Sequence, residues 1–332
     1  MIAAAGLDRL AGDPRWSPHP VVVMGWWISR LRRLAESWAG DRPTQLRGAG
    51  ALITVLLVGG SGLAGWGLER LALAHAAALP LLWIALASAL AGRSLEQAVR
   101  RVLLLLPAAD NPQDSELIPA RQALGWIVGR ETAQLQRADI LRAAAETASE
   151  NAVDGLFAPL FWMLVGAAIW SCGALAAPGP LALAWGFKAA STLDSMLGYR
   201  RGRLRWLGTA GARLDDLLVW LPCRLVALSL PLVAGQGPRG CWRLWHLARR
   251  DGAPDPSPNA GLSQATYAHA AGVQLGGLNR YGDQLKAKPL LAAGQPGADA
   301  AAVERMLRLT GRLELLWLLP ALGLGMLGLA AQ

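Results

Sequence analysis

Five long stretches of the chain are almost free of charged side chains, and they restrict the fold more than any other feature. They cover residues 48–68, 71–92, 155–187, 217–238 and 315–332. Each has 18 or more residues, and a helix of about 20 residues crosses the hydrocarbon core of a bilayer. One such stretch could be a buried helix, but five together favour a membrane. We therefore predict an all-α, polytopic integral membrane protein with about five transmembrane or re-entrant helices and cytoplasmic helical loops.

The composition supports a membrane protein over an ordinary soluble enzyme. Charged residues make up 17% of the 332 residues, against about 25% in a typical soluble domain. The apolar content of 53% excludes a disordered chain. Three cysteines without paired spacing exclude a disulfide framework and a zinc cluster. The net charge of +9 is spread thinly between the apolar stretches and comes with no nucleic-acid motif, so we expect no nucleic-acid partner.

The junctions of the apolar stretches indicate where the chain turns. Only Glu69 and Arg70 separate the first two stretches, so we expect a tight helical hairpin there. The third stretch, 155–187, is 33 residues long, and Pro178-Gly179-Pro180 interrupts it near its end. This stretch either crosses once or folds as a hairpin or re-entrant element, and the sequence leaves both alternatives open.

The distribution of basic residues predicts an orientation for a single membrane domain over residues 1–332. Residues 1–47 and 93–154 each contain seven arginines, and 239–314 contain ten lysines and arginines. Because cytoplasmic loops are rich in such residues, we expect 1–47 to be a cytoplasmic or interfacial segment. We expect 93–154 and 239–314 to be larger cytoplasmic loops, with the site on the cytoplasmic side of the cell membrane.

Two basic segments have the pattern of helices that lie at a membrane surface. In 21–38 apolar residues recur at helical spacing with three arginines among them, and in 239–250 Trp242 and Trp245 share one face. Basic amphipathic helices lie in the plane of the lipid headgroups. We therefore predict contact with membrane lipid in both segments.

A row of carboxylates precedes the third apolar stretch. Glu146, Glu150 and Asp154 are spaced i, i+4 and i+8, which places them on one helix face. Like charges at this spacing destabilise a helix slightly, so the row indicates a binding function, such as Mg²⁺ with a phosphate partner. We predict catalytic roles for these three acids and a substrate-binding role for Asn151. The alternative is a solvated face on which Arg142 pairs with Glu146.

A stripe of polar and small residues follows the same stretch. Lys188, Ser191, Asp194 and Ser195 share one helix face and suit a cavity, with the lysine available for a phosphate. We predict that Asp194 is catalytic and that it ligates Mg²⁺ together with Glu150 and Asp154. The three other stripe residues and Tyr199 are predicted to bind substrate. The alternative is a helix that leaves the membrane with its polar face outward.

The fourth apolar stretch begins beside a pair of acids and contains one arginine. Asp215 and Asp216 are predicted to be catalytic, and Arg213 and Arg224 are predicted to bind substrate. An arginine inside a membrane costs at least ~2.5 kcal/mol unless it faces a cavity or a partner. The alternative for Arg224 is that its side chain extends to the membrane surface.

Three loop motifs complete the candidates. GDPRWSPHP is rich in proline, so it can hold Asp13 and His19 rigidly as substrate-binding residues. Alternatively, Asp13 is a turn residue and His19 an exposed linker. SPNAG contains Asn259, and GGLNRYG contains Asn279, which we expect in a loop that approaches an anionic group.

These motifs, in their order along the chain, resemble a family of membrane proteins of cobalamin biosynthesis called CobD or CbiB, the adenosylcobinamide-phosphate synthases. The resemblance covers roughly residues 7–285. The matching segments are GDPRWSPHP, AGRSLEQA, LGWIVGRETAQLQ, ETASENAVDGLFAPLFW, KAASTLDSMLGYR, ARLDDLLVWLPCRL and SPNAG. Many members have an aromatic residue and an acid after SPNAG, where Leu262 and Gln264 stand here. That departure weakens the expectation of catalysis at this loop.

The resemblance implies an acid–amine ligase. Members join adenosylcobyric acid to (R)-1-aminopropan-2-ol or its O-phosphate through an amide bond, with ATP as the energy source. Carboxylates would hold Mg²⁺ on ATP, while lysine and arginine neutralise the transferring phosphoryl group. The corrinoid is then a substrate and not a cofactor, and other late cobalamin-pathway enzymes are possible partners. The alternatives are a corrinoid transporter and a membrane scaffold for those enzymes.

Overall fold

The computed structural model describes residues 1–12, 19–107, 109, 113–281 and 284–330, without the side chains of 280–286 and 324–330. The first half of the chain forms α1 (Ile2–Ala11), α2 (Pro20–Ala39), α3 (Pro43–Ala74), a 3₁₀ turn (Ala76–Ala78), α4 (Leu79–Ala87), α5 (Gly92–Leu104), a second 3₁₀ turn (Asp114–Leu117), α6 (Ile118–Gly125), α7 (Arg137–Ala152) and a π-helical turn (Val153–Phe157). The second half forms α8 (Ala158–Ser171), α9 (Pro180–Leu197), α10 (Leu204–Leu207), α11 (Thr209–Val233), α12 (Pro238–Gly252), α13 (Ala260–Ala271), β1 (Leu275–Tyr281), β2 (Gln284–Leu291) and α14 (Ala300–Ala330).

The chain divides into two compact units. Unit 1 comprises Met1–Ala91, Asp154–Val219 and Trp317–Gln332, and unit 2 comprises Gly92–Val153 and Trp220–Leu316.

Four helical segments of the described chain are long and apolar enough to cross a membrane. They are Pro43–Ala74, Ala76–Leu104, Arg137–Ser171 and Thr209–Val233. The prediction of a mainly helical, polytopic membrane protein is therefore confirmed. The last apolar stretch, 315–332, falls in α14, and its side chains beyond Gly323 lie outside the described part of the chain.

The core of unit 1 forms where α2, α3, α9 and α10 pack together. Its largest buried side chains include Ile28, Leu46, Leu193 and Leu207. Close approach depends on small residues, because a Cβ atom at Gly65 would meet the backbone of Ala182 in α9. Small residues serve the same purpose in membrane helix pairs, where backbones pack without a hydrophobic driving force from water.

The third apolar stretch folds as two helices, which decides between the two alternatives left open by the sequence. The helices α8 and α9 pack against each other and are joined by a turn at 172–179. The predicted turn at Glu69 is wrong, since α3 continues to Ala74. Glu69 is instead fully buried and accepts hydrogen bonds from the amides of Gly179 (2.9 Å) and Leu181 (2.5 Å), at the start of α9. A carboxylate at a helix N-terminus satisfies amides that have no partner within the helix.

Both predicted amphipathic helices form, as α2 and α12. In α2 the predicted apolar stripe is exposed, with Trp27 at 47% and Trp38 at 66%, while Met24 and Ile28 on a neighbouring stripe pack into the core. The helix is anchored to the core by its other side, and contact of the exposed stripe with lipid stays a prediction.

Unit 2 contains one element that the all-α prediction missed. β1 and β2 form an antiparallel hairpin in which Asn279 lies opposite Lys286, and a bulge interrupts the register between Leu275 and Gly277. Gly276 lies in the bulge with a φ of 83°, a conformation that favours glycine. A Cβ atom there would also overlap the carbonyl oxygen of Pro289. GGLNRYG was expected to be a loop, but its residues up to Tyr281 form β1.

Candidate functional site

Glu146 is the centre of a buried polar network in unit 2. Its residue is 4% exposed, and its Oε2 lies 2.8 Å from Nη1 of Arg130, whose side chain is 7% exposed. Its Oε1 accepts a hydrogen bond of 3.0 Å from the amide of Gly276. The alternative of a solvated face with an Arg142–Glu146 pair is therefore wrong. The network is buried, and Glu146 pairs with Arg130.

Arg142 joins α7 to the β-hairpin. Its guanidinium donates to the carbonyl oxygens of Gly276 and Leu278, each at 2.8 Å, and to Asp139 at 2.9 Å. A side chain at Gly277 would collide with this guanidinium. The glycine pair in GGLNRYG thus admits an arginine and donates one amide to a carboxylate of the protein itself.

Glu150 lies one helical turn after Glu146 and has a different partner. Its Oε2 accepts a 2.7 Å hydrogen bond from Nε2 of Gln264 in α13. The charges of Lys288 and Asp255 also act on it, and these two side chains approach each other to 3.9 Å. Gln264, which follows the SPNAG motif, therefore holds a candidate catalytic acid.

Several buried polar atoms of this network have no hydrogen-bond partner among the side chains that the structure describes. They are both amide atoms of Asn279, Oε1 of Gln264, Nε of Arg130 and Nε of Arg142. Asn279 is only 2% exposed. Buried polar groups are nearly always paired with protein or water, so a group of unpaired ones marks a place suited to a polar ligand or bound water.

Arg224 and Asn259, from two separate sequence motifs, meet in unit 2. Nη1 of Arg224 donates to Oδ1 of Asn259 at 2.7 Å, and Nη2 donates to the Pro258 carbonyl at 3.0 Å. The guanidinium also lies 4.5 Å from the ring centroid of Trp220. Arg224 is therefore held by the SPNAG loop and does not extend freely to a membrane surface.

The third member of the carboxylate row lies outside the α-helix that carries the other two. Helix α7 ends at Ala152, and Asp154 lies in the π-helical turn that follows. The prediction of one face rests on α-helical spacing, and for Asp154 it stays a prediction. Asn151 is half-buried near the end of α7.

Unit 1 contains a second group of acids, on α9 and α11. Oδ1 of Asp215 is buried and has no hydrogen-bond partner in the described part of the chain. The like charges of Asp194 and Asp216 act on it, together with the opposite charge of Lys188. The Asp194 carboxylate lies over Gly198, where a Cβ atom would collide with its Oδ1. A carboxylate in this setting suits a cation.

The other predicted binding residues of unit 1 have more ordinary surroundings. Ser191 is half-buried, whereas Ser195 is exposed and its hydroxyl donates within α9 to Thr192. Tyr199 is 41% exposed and lies under Arg201, and Arg213 is exposed. A binding role for these residues stays a prediction.

The proline-rich loop is described only at its end. His19 is the N-cap of α2, and its Nδ1 accepts from the amide of Val21 at 3.3 Å. This contact is typical of a helix-capping residue. Asp13 lies outside the described residues.

The acids of unit 1 fit a magnesium ion only with help from a ligand. In the described ranges no three His, Cys, Asp or Glu side chains lie close enough to hold a metal on their own. The predicted ligand set is also divided, since Glu150 belongs to unit 2 while Asp154 and Asp194 belong to unit 1. Mg²⁺ is commonly held by one or two carboxylates with phosphate oxygens and water. Asp194 and Asp215, with its unpaired oxygen, match that arrangement.

Sequence reasoning missed Arg130, Gln264, Asp255 and Lys288 as parts of the unit 2 network. Arg130 and Gln264 lie within or next to the motifs, but their roles depend on contacts with residues 16 and 114 positions away. Asp255 precedes SPNAG closely enough to have been considered. No local signal distinguished Lys288 from other basic residues.

The comparisons with known proteins agree with the motifs. The profile of the CobD/Cbib protein family matches residues 1–310. Cobalamin biosynthesis protein CobD of Synechocystis is 42% identical over 293 residues, which are 88% of this chain and 81% of that protein. CobD of Geobacter metallireducens is 40% identical over 330 residues, covering 97% and 94%. CbiB of Salmonella typhimurium is 37% identical over 326 residues, covering 97% and 93%. No solved structure gives a significant match. By the extent of these matches, the chain belongs to the CobD/Cbib protein family.

Proposed function

We propose that the chain acts in cobalamin biosynthesis as an ATP-dependent ligase. It joins the free carboxylate of adenosylcobyric acid to (R)-1-aminopropan-2-ol or its O-phosphate. The three relatives are named as cobalamin biosynthesis proteins, which supports the pathway. The observation that best supports the chemistry is the unpaired carboxylate oxygen of Asp215 beside two further acids and Lys188.

The first step activates the corrinoid carboxylate, which is a poor electrophile. One of its oxygens attacks the terminal phosphorus of ATP, the bond from that phosphorus to the bridging oxygen breaks, and ADP leaves. Lys188 neutralises negative charge on the phosphoryl group while it is transferred. Asp194 and Asp215 would hold Mg²⁺, which when bound neutralises phosphate charge and orients the nucleotide.

The second step forms the amide. The amine nitrogen attacks the activated carbonyl carbon, the bond from that carbon to the phosphate oxygen breaks, and inorganic phosphate leaves. The nitrogen also loses a proton, which we assign to Asp216, the half-buried acid beside Asp215. A carboxylate within hydrogen-bond reach of the amine can accept such a proton.

The network of unit 2 is assigned to substrate recognition. Glu146 has protein donors on both oxygens, so it positions Arg130 and the hairpin and is not itself free to react. The amide atoms of Asn279 and Oε1 of Gln264 match the donor and acceptor pattern of the carboxamide side chains of a corrinoid.

A growth experiment tests the function against the alternatives. A host that lacks its own copy should fail to make cobalamin from added cobyric acid, yet succeed with cobinamide, which enters after the amide is formed. Adding this gene should restore the use of cobyric acid. A transporter would affect both compounds equally, and normal growth of the deleted host on cobyric acid would contradict the proposal. Partial growth at high doses of aminopropanol phosphate would favour a scaffold.

A further inference from the structure

A small polar pocket lies in unit 2 apart from the Glu146 network. It has a volume of about 190 Å³ and is lined by Gln236, Gly240, Arg243, His269 and Gln295, with two leucines of α12. His269 is on α13, five residues after Gln264, and its ring contacts Asp251. None of the sequence motifs pointed to this pocket.

Arg243 supplies an uncompensated positive charge to the pocket. The residue is exposed, and no other residue that the structure describes forms a hydrogen bond or an ion pair with it. Its neighbours on α12 differ, because Arg249 lies over the Trp245 ring and Arg250 pairs with Asp251. A guanidinium with no protein partner can donate two parallel hydrogen bonds to an oxyanion.

His269 is held in a fixed orientation by Asp251. Nε2 of His269 and Oδ2 of Asp251 are 2.8 Å apart, and the same oxygen accepts from the Ala292 amide at 3.2 Å. The other oxygen of Asp251 accepts from Nε of Arg250 at 2.8 Å. Both carboxylate oxygens are therefore engaged, while Nδ1 of His269 has no partner among the described residues. Because Nε2 donates its proton to the Asp251 carboxylate, Nδ1 donates to an anion only in the imidazolium form, in which both ring nitrogens carry a proton.

The backbone at the start of α12 also favours a negatively charged ligand in this pocket. Gln236 and Gly240 flank the start of α12, whose N-cap is Gly237 and whose first residue is Pro238. Amides in the first turn of a helix have no partner within the helix, and the helix dipole favours negative charge there. No acidic side chain lines the pocket.

From this combination we infer that the pocket binds a phosphate group. Its volume is about six times the ~30 Å³ that one water molecule occupies in the liquid, so it holds a phosphate with a few waters. It is too small for a whole nucleotide, because sites for ligands of that size measure roughly 300–1,000 Å³. The phosphate thus belongs to a small phosphomonoester or to a lipid headgroup. A lipid headgroup is one of the two sources because α12 carries an exposed tryptophan, Trp242, which is 63% exposed and can contact lipid.

Binding of radiolabelled inorganic phosphate to the full chain in phosphatidylcholine nanodiscs tests the inference. Arg243→Gln should weaken binding about tenfold or more, since a charge-assisted hydrogen bond is lost. Arg239→Gln removes the same charge from the same helix outside the pocket and should leave binding almost unchanged. Lys188→Gln removes the cation beside the acids of unit 1. Phosphate binding that persists in this variant therefore does not come from those acids. His269→Asn should weaken binding in the same direction as Arg243→Gln.

Two competitors distinguish the sources of the phosphate. Displacement by O-phosphoethanolamine identifies a soluble phosphomonoester, and displacement by phosphatidic acid added to the nanodisc identifies a headgroup. Either result supports the site. Equal loss of binding in Arg243→Gln and Arg239→Gln would overturn it, because the effect would then be one of general charge. Absence of saturable phosphate binding to the unmodified chain would overturn it as well.

Discussion

The acids of the two units differ in whether their carboxylate oxygens have hydrogen-bond partners. In unit 2, Glu146 has a guanidinium on one oxygen and an amide on the other, and the unpaired atoms around it belong to neutral amides and arginines. Among the candidate acids of unit 1, Oδ1 of Asp215 is buried without a hydrogen-bond partner in the described part of the chain, and like charges act on it. Burying an uncompensated charge is costly. This difference is consistent with our proposal that the acids of unit 1 bind a cation and its phosphate and that the network of unit 2 binds a polar ligand.

The largest effect on the free energy of unfolding should come from removing Glu146, the acid whose two oxygens both have partners. Glu146→Ala leaves Arg130 buried without its partner, and breaking a buried pair in this way costs about 3–5 kcal/mol. Glu304→Ala is the matched control, because its pair with Arg100 is partly exposed and such pairs contribute about 0–1 kcal/mol. Chemical denaturation in detergent measures both. Equal losses in the free energy of unfolding for the two variants would mean that the buried pair contributes no more to stability than the exposed one.

Removing the unsatisfied acid should act on turnover and not on folding. Asp215→Asn takes away a cation ligand, and we expect turnover to fall on the order of 100- to 1,000-fold, which corresponds to about 3–4 kcal/mol in the barrier. The free energy of unfolding should stay the same or rise, since the repulsion that Asp194 and Asp216 exert on this carboxylate is removed. Asp41→Asn, on an exposed carboxylate paired with Arg203, should leave turnover intact. Near-normal turnover of Asp215→Asn would remove this acid from the chemistry.

Variants of two asparagines in unit 2 should distinguish an effect on corrinoid binding from an effect on stability. Asn279 has no described partner, so Asn279→Leu should raise the KM for the corrinoid about tenfold, the equivalent of about 1.4 kcal/mol, with little change in unfolding. Asn259→Leu removes the acceptor of Arg224 and should lower stability by about 1–3 kcal/mol. Steady-state kinetics and thermal melts on both variants give the comparison. A stability loss in Asn279→Leu that matches Asn259→Leu would show that Asn279 is structural.

The smallest predicted effect depends on pH and is confined to unit 2. Burial opposes ionisation of Asp251, but hydrogen bonds from Arg250, His269 and the Ala292 amide outweigh it and keep the pKa of the carboxyl below its usual value. A lowered pKa in the folded state means that the contribution is fully present above the ordinary Asp pKa near 4 and is lost as pH falls through the lower folded value.

Asp251→Asn should therefore cost on the order of 1 kcal/mol near neutral pH, and this difference from the unmodified chain should shrink in acid. Thermal melts from pH 7 down to about 3 measure it. A difference that grows in acid would contradict the assigned sign.

The fold was largely predictable because its main signal is local. Uncharged stretches of helical length identify membrane helices without any knowledge of their partners. The hairpin β1–β2 was missed because its strands gain their order from contacts with α7, such as the bond of Gly276 to Glu146. The turn at Glu69 was misplaced for a related reason, since the amides of α9 that make a buried carboxylate stable are 110 residues away.

The candidate site was predictable by residue type but not by partner. Glu146 and Glu150 were predicted from like charges at helical spacing, Asp194 from a polar stripe, and Asp215 from its place before an apolar stretch. Which acid is paired and which is left unsatisfied depends on tertiary contacts, as for Glu150 with Gln264. Spacing along the chain also did not predict the π-helical turn that contains Asp154.

The most direct test of the proposed function is amide formation by the purified chain in lipid nanodiscs. Adenosylcobyric acid, ATP, Mg²⁺ and either aminopropanol or its phosphate are supplied, and the corrinoid product and ADP are quantified. We predict one ADP and one phosphate released for each amide formed, with loss of both products in Asp215→Asn. ATP hydrolysis without amide, or amide formed equally well by Asp215→Asn, would contradict the assignment of this chemistry to the acids of unit 1.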